Sequence, residues 1–256
     1  MKKLAIMVVI VTIVAFGTVS PVTSLTNVLR SGAIQRLKIM DYITFVSEGN
    51  VTYFTVKGLI ANNSTTNVRS VNVTVMFYDT DNNLIATRVS GTALKIIRPE
   101  QKAPFEVYLL LGSISSPDHC YLTALGIGTD QEPICKFKIV NQTSKVEGGY
   151  RVILGELKNE GSMRAVSVKV ICACYDSQGN LTAMSHTYPN PVTLDPDENA
   201  NFEIRLKLAP GIELKRFELF VSARSYEKVA EARWILLSAL AAAAVLYIAY
   251  MKRRGW

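Results

Sequence analysis

The segment Asp79-Thr-Asp81-Asn-Asn83 sets side-chain oxygens at alternate positions, as the opening of a calcium loop does. The glycine and the closing glutamate that complete such a loop are missing, so the segment is expected to be a hairpin turn. Four cysteines fit an exported chain. Cys120 and Cys135 are expected to form a disulfide, whose closed loop would contribute about 3 kcal/mol. Cys172 and Cys174 alternate on one strand, where i, i+2 thiols are poorly placed to bridge each other, and are expected to serve as small buried hydrophobes. No C-x-x-C, G-x-S-x-G or glycine-rich phosphate loop occurs, and His119 and His186 fall in unrelated contexts. Asp195, Asp197 and Glu198 read as a solvated acidic turn. No catalytic set, cofactor or metal site is expected, and the chain is read as non-enzymatic. N-x-[ST] sequons at Asn50, Asn62, Asn63, Asn72, Asn141 and Asn180 are the modification candidates. Asn62 and Asn63 overlap, so one of that pair would be used. Asn72 lies on the outward register of a strand, and Asn62 and Asn180 fall in expected turns.

The net charge of +7 and pI near 9.2 arise mainly at the ends, from Lys2, Lys3, Lys252, Arg253 and Arg254. Between them acids and bases nearly balance, so the charge is a topology signal and no nucleic-acid partner is expected. Leu4–Phe16 is an apolar run behind a basic start and reads as a signal peptide cleaved after Gly17; the rival is an uncleaved anchor reaching towards Val22. Trp234–Tyr250 is an uncharged apolar run with Trp234, Tyr247 and Tyr250 at its ends, followed by the basic cluster. It is expected to be a single transmembrane helix with a cytoplasmic C-terminus. Both readings of the N-terminus leave residues 25–230 outside the cell.

These features sit in a chain whose middle is written twice. At an offset of 97 positions, residues 53–110 fall on 150–207 without a gap. Gly58, Asn62, Val71, Val73, Tyr78, Asp79, Pro99, Ala103, Phe105 and Glu106 all find identical partners. A period this long fits a whole small domain and not a solenoid unit. Val71, Val73, Val75 and Phe77 alternate with Asn72, Thr74 and Met76, as do Val168, Val170, Cys172 and Cys174 with Lys169, Ile171 and Ala173. This is the pattern of a half-buried antiparallel strand. Further strands are expected at Leu37–Phe45, Tyr53–Ile60, Phe105–Leu111 and Tyr121–Ile127, with counterparts at Lys136–Val140, Tyr150–Lys158, Phe202–Leu208 and Phe217–Ala223. The expected architecture is all-β: two tandem Ig-like β-sandwiches over 25–134 and 135–228, behind a signal peptide or anchor at 1–24 and before the transmembrane helix and basic tail at 229–256. The short linker suggests a semi-rigid stalk.

The order Gly58, Asn62, Val75-Met76-Phe77-Tyr78-Asp79, Pro99 and Phe105-Glu106 resembles the FxLYD domain. The second copy keeps Gly155, Asn159, Tyr175-Asp176, Pro196 and Phe202-Glu203, but Cys172-Ala173-Cys174 departs from the bulky strand residues. The resemblance covers about 60 residues of each module. It implies an Ig-type sandwich in an exported, membrane-anchored prokaryotic protein, with no established chemistry. Dense sequons and a C-terminal anchor together look like an archaeal surface protein, a Gram-positive bacterium being the other option. The expected function is adhesion, envelope organisation or ligand binding at the membrane, with an unknown envelope or membrane-protein partner and a possible homo-oligomer. The alternative is an accessory subunit of a membrane transporter or secretion complex, for which Ser238-x-x-x-Ala242 would permit close helix packing.

Overall fold

A computed structural model describes residues 32–47, 51–112, 114–134, 136–207 and 214–227. The expected signal segment, the expected span Trp234–Tyr250, Asn50 and Cys135 lie outside the described residues. Among the described residues every regular element is a strand, and no helix is long and apolar enough to cross a membrane.

The first copy comprises β1 (Ile34–Ser47), β2 (Tyr53–Ala61), β3 (Asn67–Tyr78), β4 (Leu84–Gly91), β5 (Ile96–Ile97), β6 (Lys102–Leu110) and β7 (His119–Thr129). The second comprises β8 (Phe137–Glu147), β9 (Tyr150–Asn159), β10 (Arg164–Tyr175), β11 (Leu181–Thr187), β12 (Asn199–Lys207) and β13 (Arg216–Glu227). All ladders are antiparallel, and the repeat in sequence is a repeat in register. Gly58 lies opposite Phe105 and Gly155 opposite Phe202. Tyr78 meets Leu84 after a register irregularity, and Tyr175 meets Leu181 after the same one. Ser70 and Ser167 share a left-handed backbone at φ 51° and 52°.

Each copy encloses its own core between two layers. Val71, Val73, Val75 and Phe77 of β3 pack against Phe54, Val56, Phe105 and Leu109 of the facing layer. Val168, Val170, Cys172 and Cys174 of β10 do the same against Ile153, Leu157, Phe202 and Ile204. Cys172 and Cys174 are fully buried free thiols with their sulfurs 3.4 Å apart. Their contact, with burial, pushes the Cys172 thiol above its ordinary pKa. Both are expected to resist alkylation in the folded chain and to react together on denaturation. Rapid labelling of either without unfolding would contradict this packing.

The copies differ at one edge. β1 pairs with β7 through Ile34–Leu37, then crosses to pair with β2 from Lys38 to Ser47. β8 pairs with β9 alone. The layer β4-β3-β7 is therefore completed by β1, whereas β11-β10-β13 has three strands among the described residues.

Cys135, the expected disulfide partner of Cys120, lies outside the described residues. Cys120 is a half-buried free thiol at the start of β7, beside Phe77. β7 carries the chain on by about 30 Å, nine residues at strand rise, before the linker begins.

Candidate functional site

Most of the residues that the two copies share are occupied in holding the fold. A Cβ on Gly58 would come within 2.7 Å of the Phe105 ring and 2.6 Å of the Asp41 carbonyl, and one on Gly155 would meet Phe202 and the Asn141 carbonyl. Glycine is needed at both so that the opposite phenyl ring can lie across the strand. Asn62 is fully buried at the end of β2. Its Nδ2 donates to the carbonyls of Thr66 and Ile97 at 2.8 and 2.9 Å, and its Oδ1 accepts from the Ser64 N–H. Asn159 repeats this by donating to Met163 and Leu194. Asn62 is thus corrected from a turn residue open to a glycan to a buried clamp between the β2–β3 loop and β5. Of that overlapping pair Asn63 is exposed, as are Asn72, Asn141 and Asn180. Asp79 accepts from the N–H groups of Asp81 and Asn83 and from the Asn83 amide, and Asp176 repeats the arrangement with Gln178 and Asn180. Their oxygens are spent on hairpin turns, as expected, and these bonds hold Asp79 below the usual carboxylate range.

Several residues in which the copies differ meet at the junction between them, beside the shared Tyr175 and Leu181. The outer face of β10 and β11, with Ile171, Ala173, Tyr175, Leu181 and Met184, packs on Leu59 and Ile43 of the first copy in a third apolar cluster. The expected stalk is therefore corrected: the two modules lie sheet against sheet. In the first copy the positions of Ile171 and Met184 hold Thr74 and Thr87. In the second, the positions of Asp41, Ile43 and Leu59 hold Asn141, Thr143 and Glu156. Each copy is thus made adhesive on a different face. A β10 that is apolar on both faces was the legible sign of a covered outer surface.

Polar contacts frame the cluster. Asp41 Oδ2 accepts from the Leu181 N–H at 2.7 Å. Lys102 crosses to Glu218 at 2.9 Å, and Glu218 also pairs with Arg216 and accepts from the Tyr175 hydroxyl. Lys95 Nζ donates to the Arg224 carbonyl at 2.7 Å.

Beside the cluster opens a cleft of about 260 Å³, with Lys57, Pro104, Glu106 and Tyr108 on one wall and Lys169, Ile171, Met184 and His186 on the other. Lys57 Nζ stands 2.5 Å from Glu106 Oε1. Burial opposes ionisation of Glu106, but Lys57 and Tyr108 outweigh it and hold the carboxyl below its ordinary pKa. Burial, then Glu106, pushes the Tyr108 phenol up. Lys169 lies over the Tyr188 ring and has no carboxylate partner among the described residues. His186 meets Tyr188 edge-on at 5.9 Å. The cleft joins an apolar floor to two ammonium groups, one carboxylate and one imidazole, a lining suited to binding a small polar or anionic group.

Burial, then Lys169, lowers the His186 pKa, with Lys57 acting in the same sense and Glu106 against it. A histidine with a depressed folded pKa contributes stability that is present above its unfolded value near about 6.5 and is lost as pH falls. The junction should loosen on mild acidification, and His186→Gln should reduce the drop in unfolding midpoint between about pH 7.5 and about pH 5.5. An unchanged drop in the variant would contradict the assignment.

No family model matches the chain, and no curated protein matches it. Solved structures similar to it include a β-glucuronidase of Bacteroides uniformis at 12% identity and TM-score 0.29, covering 68% of this chain and 24% of that one. A red sea bream transglutaminase follows at 10% identity and TM-score 0.22, covering 73% and 31%. A β-glucuronidase of Ruminococcus gnavus gives 8% identity and TM-score 0.15, covering 75% and 45%. The chain spans less than half the length of each.

Proposed function

We propose that this chain is a non-enzymatic, membrane-anchored surface protein in which two Ig-like modules of FxLYD type form one recognition unit, with its ligand site in the cleft at their junction. The observation that carries this reading is the division of labour within the repeat. Shared residues such as Gly58, Asn62 and Asp79 are taken up in packing and turns, while Lys57, Tyr108, Lys169 and His186, which differ between the copies, join the shared Glu106 in the cleft at the junction. The basic ends and apolar runs of the sequence support an exported ectodomain held by Trp234–Tyr250. Tyr108 is exposed, which suits a residue available to a ligand.

The test is crosslinking in intact membranes with recovery of the partner. Lys169→Glu combined with Tyr108→Ala should abolish recovery while the chain stays folded, anchored and cleavable by external protease. Recovery that survives those changes and is lost only when Trp234–Tyr250 is exchanged for an unrelated span would favour the accessory-subunit reading.

A further inference from the structure

We propose that the open edge of β13 is a strand-accepting site, filled by an extended segment of a partner polypeptide with apolar residues at alternate positions. The internal repeat supplies the comparison. In the first copy, the edge of β7 is completed by Ile34–Leu37 of β1, which lies opposite Ala124–Ile127 and sends Leu37 into the core. Gly128 donates to the Ala33 carbonyl and accepts from the Gly32 N–H, so the ladder extends beyond the strand itself. In the second copy β13 pairs with β10 on one side and, among the described residues, with no strand on the other.

The reason lies in the segment before β8. Aligned through the matching irregularities of β1 and β8, Ala33 and Leu37 correspond to Pro133 and Phe137. Pro133 holds φ at about −65°, away from the φ of about −140° of a regular antiparallel strand. The Lys136 carbonyl is taken by the Glu160 N–H, which draws the chain towards the other layer. The segment therefore leaves β13, and a groove of about 420 Å³ stands where a fourth strand would lie. Ile134 and Phe137 form one wall, Leu219 and Val221 the other, and Leu94 and Ile96 of the first copy close one end. An exposed strand edge beside apolar pockets is the arrangement that β-augmentation uses: the main chain supplies affinity and alternate side chains supply selectivity. The groove shares only Ala93 with the polar cleft, and the inference does not depend on where the protein resides.

The probe is a synthetic peptide of residues 33–41, the strand that fills this place in the first copy, offered to the full-length chain in detergent and followed by amide hydrogen exchange. Binding should slow exchange across Val221–Ser225 by about tenfold or more at saturating peptide. A scrambled peptide and one N-methylated at alternate residues should give no protection. Ile134→Lys, at an exposed linker position, should remove binding while the rest of the exchange pattern is unchanged. No protection, or equal protection by the scrambled peptide, overturns the proposal. Amides of β13 that are already protected without peptide, and lose protection on dilution, would assign the groove to a second copy and overturn the partner-strand assignment. Protection that persists at every dilution would assign it to the chain itself, with the same consequence.

Discussion

Leu59→Glu should split the unfolding of this protein into two transitions. Leu59 is 1% exposed on the outer face of β2, where it meets the outer face of the second module. The strand as such tolerates the substituted residue, because the second copy carries Glu156 at the equivalent place. The cost therefore falls on the junction. It combines lost apolar burial with an unpaired carboxylate between Ile171 and Tyr175, for about 3–5 kcal/mol. That exceeds what the Lys102–Glu218 pair can offset at its partly solvated site. Calorimetry should show one cooperative transition for the parent and two for the variant. A single transition in the variant, within about 0.5 kcal/mol of the parent, would show that the modules gain nothing from this contact.

Asn62→Asp should be nearly as damaging while changing the fewest atoms. The native amide donates to the buried Ile97 carbonyl and the part-buried Thr66 carbonyl. An ionised carboxylate would face those oxygens with no proton to give, at a cost of about 3 kcal/mol or more. Burial and the facing carbonyls would raise the folded-state pKa of the new acid above its unfolded value. The sign follows: the folded state would hold a proton that the unfolded state releases, so the defect grows as pH rises above about 4 and shrinks below it. Denaturant midpoints of parent and variant should converge in acid and diverge at neutrality. Equal midpoints at neutral pH would remove Asn62 from its role as a clamp. Since Asn62 is enclosed, mass analysis of the native protein should find no glycan on it.

The clamp could have been recognised in the sequence. Asn62 heads a sequon and sits among turn formers, which drew attention to its surface chemistry. Asn159 keeps the asparagine but is followed by Glu160 and Gly161, with no sequon. An asparagine retained where its modification signal is lost points to packing. The strands themselves were legible because one face of β3 and β10 alternates at period two and the offset of 97 aligns their turns. The junction was less legible, since it depends on which outer faces are sticky. Ile171 and Met184 reveal that face only when set beside Thr74 and Thr87. The open edge of β13 was hidden altogether: it follows from Pro133 and from how β1 is shared between layers, and pairing is a property of the fold.

Small-angle scattering from residues 32–227 tests the sheet-against-sheet junction most directly. Each module of about 100 residues has a radius of gyration near about 13 Å. Four layers spaced by about 10 Å set the module centres roughly 20 Å apart, for an overall radius of about 16 Å. Modules joined end to end, with strands of about ten residues, would have centres about 40 Å apart and a radius of about 24 Å. The junction built on Leu59, Ile171 and Tyr175 predicts the compact value, moving towards the extended one in Leu59→Glu. An extended radius in the parent protein would contradict it.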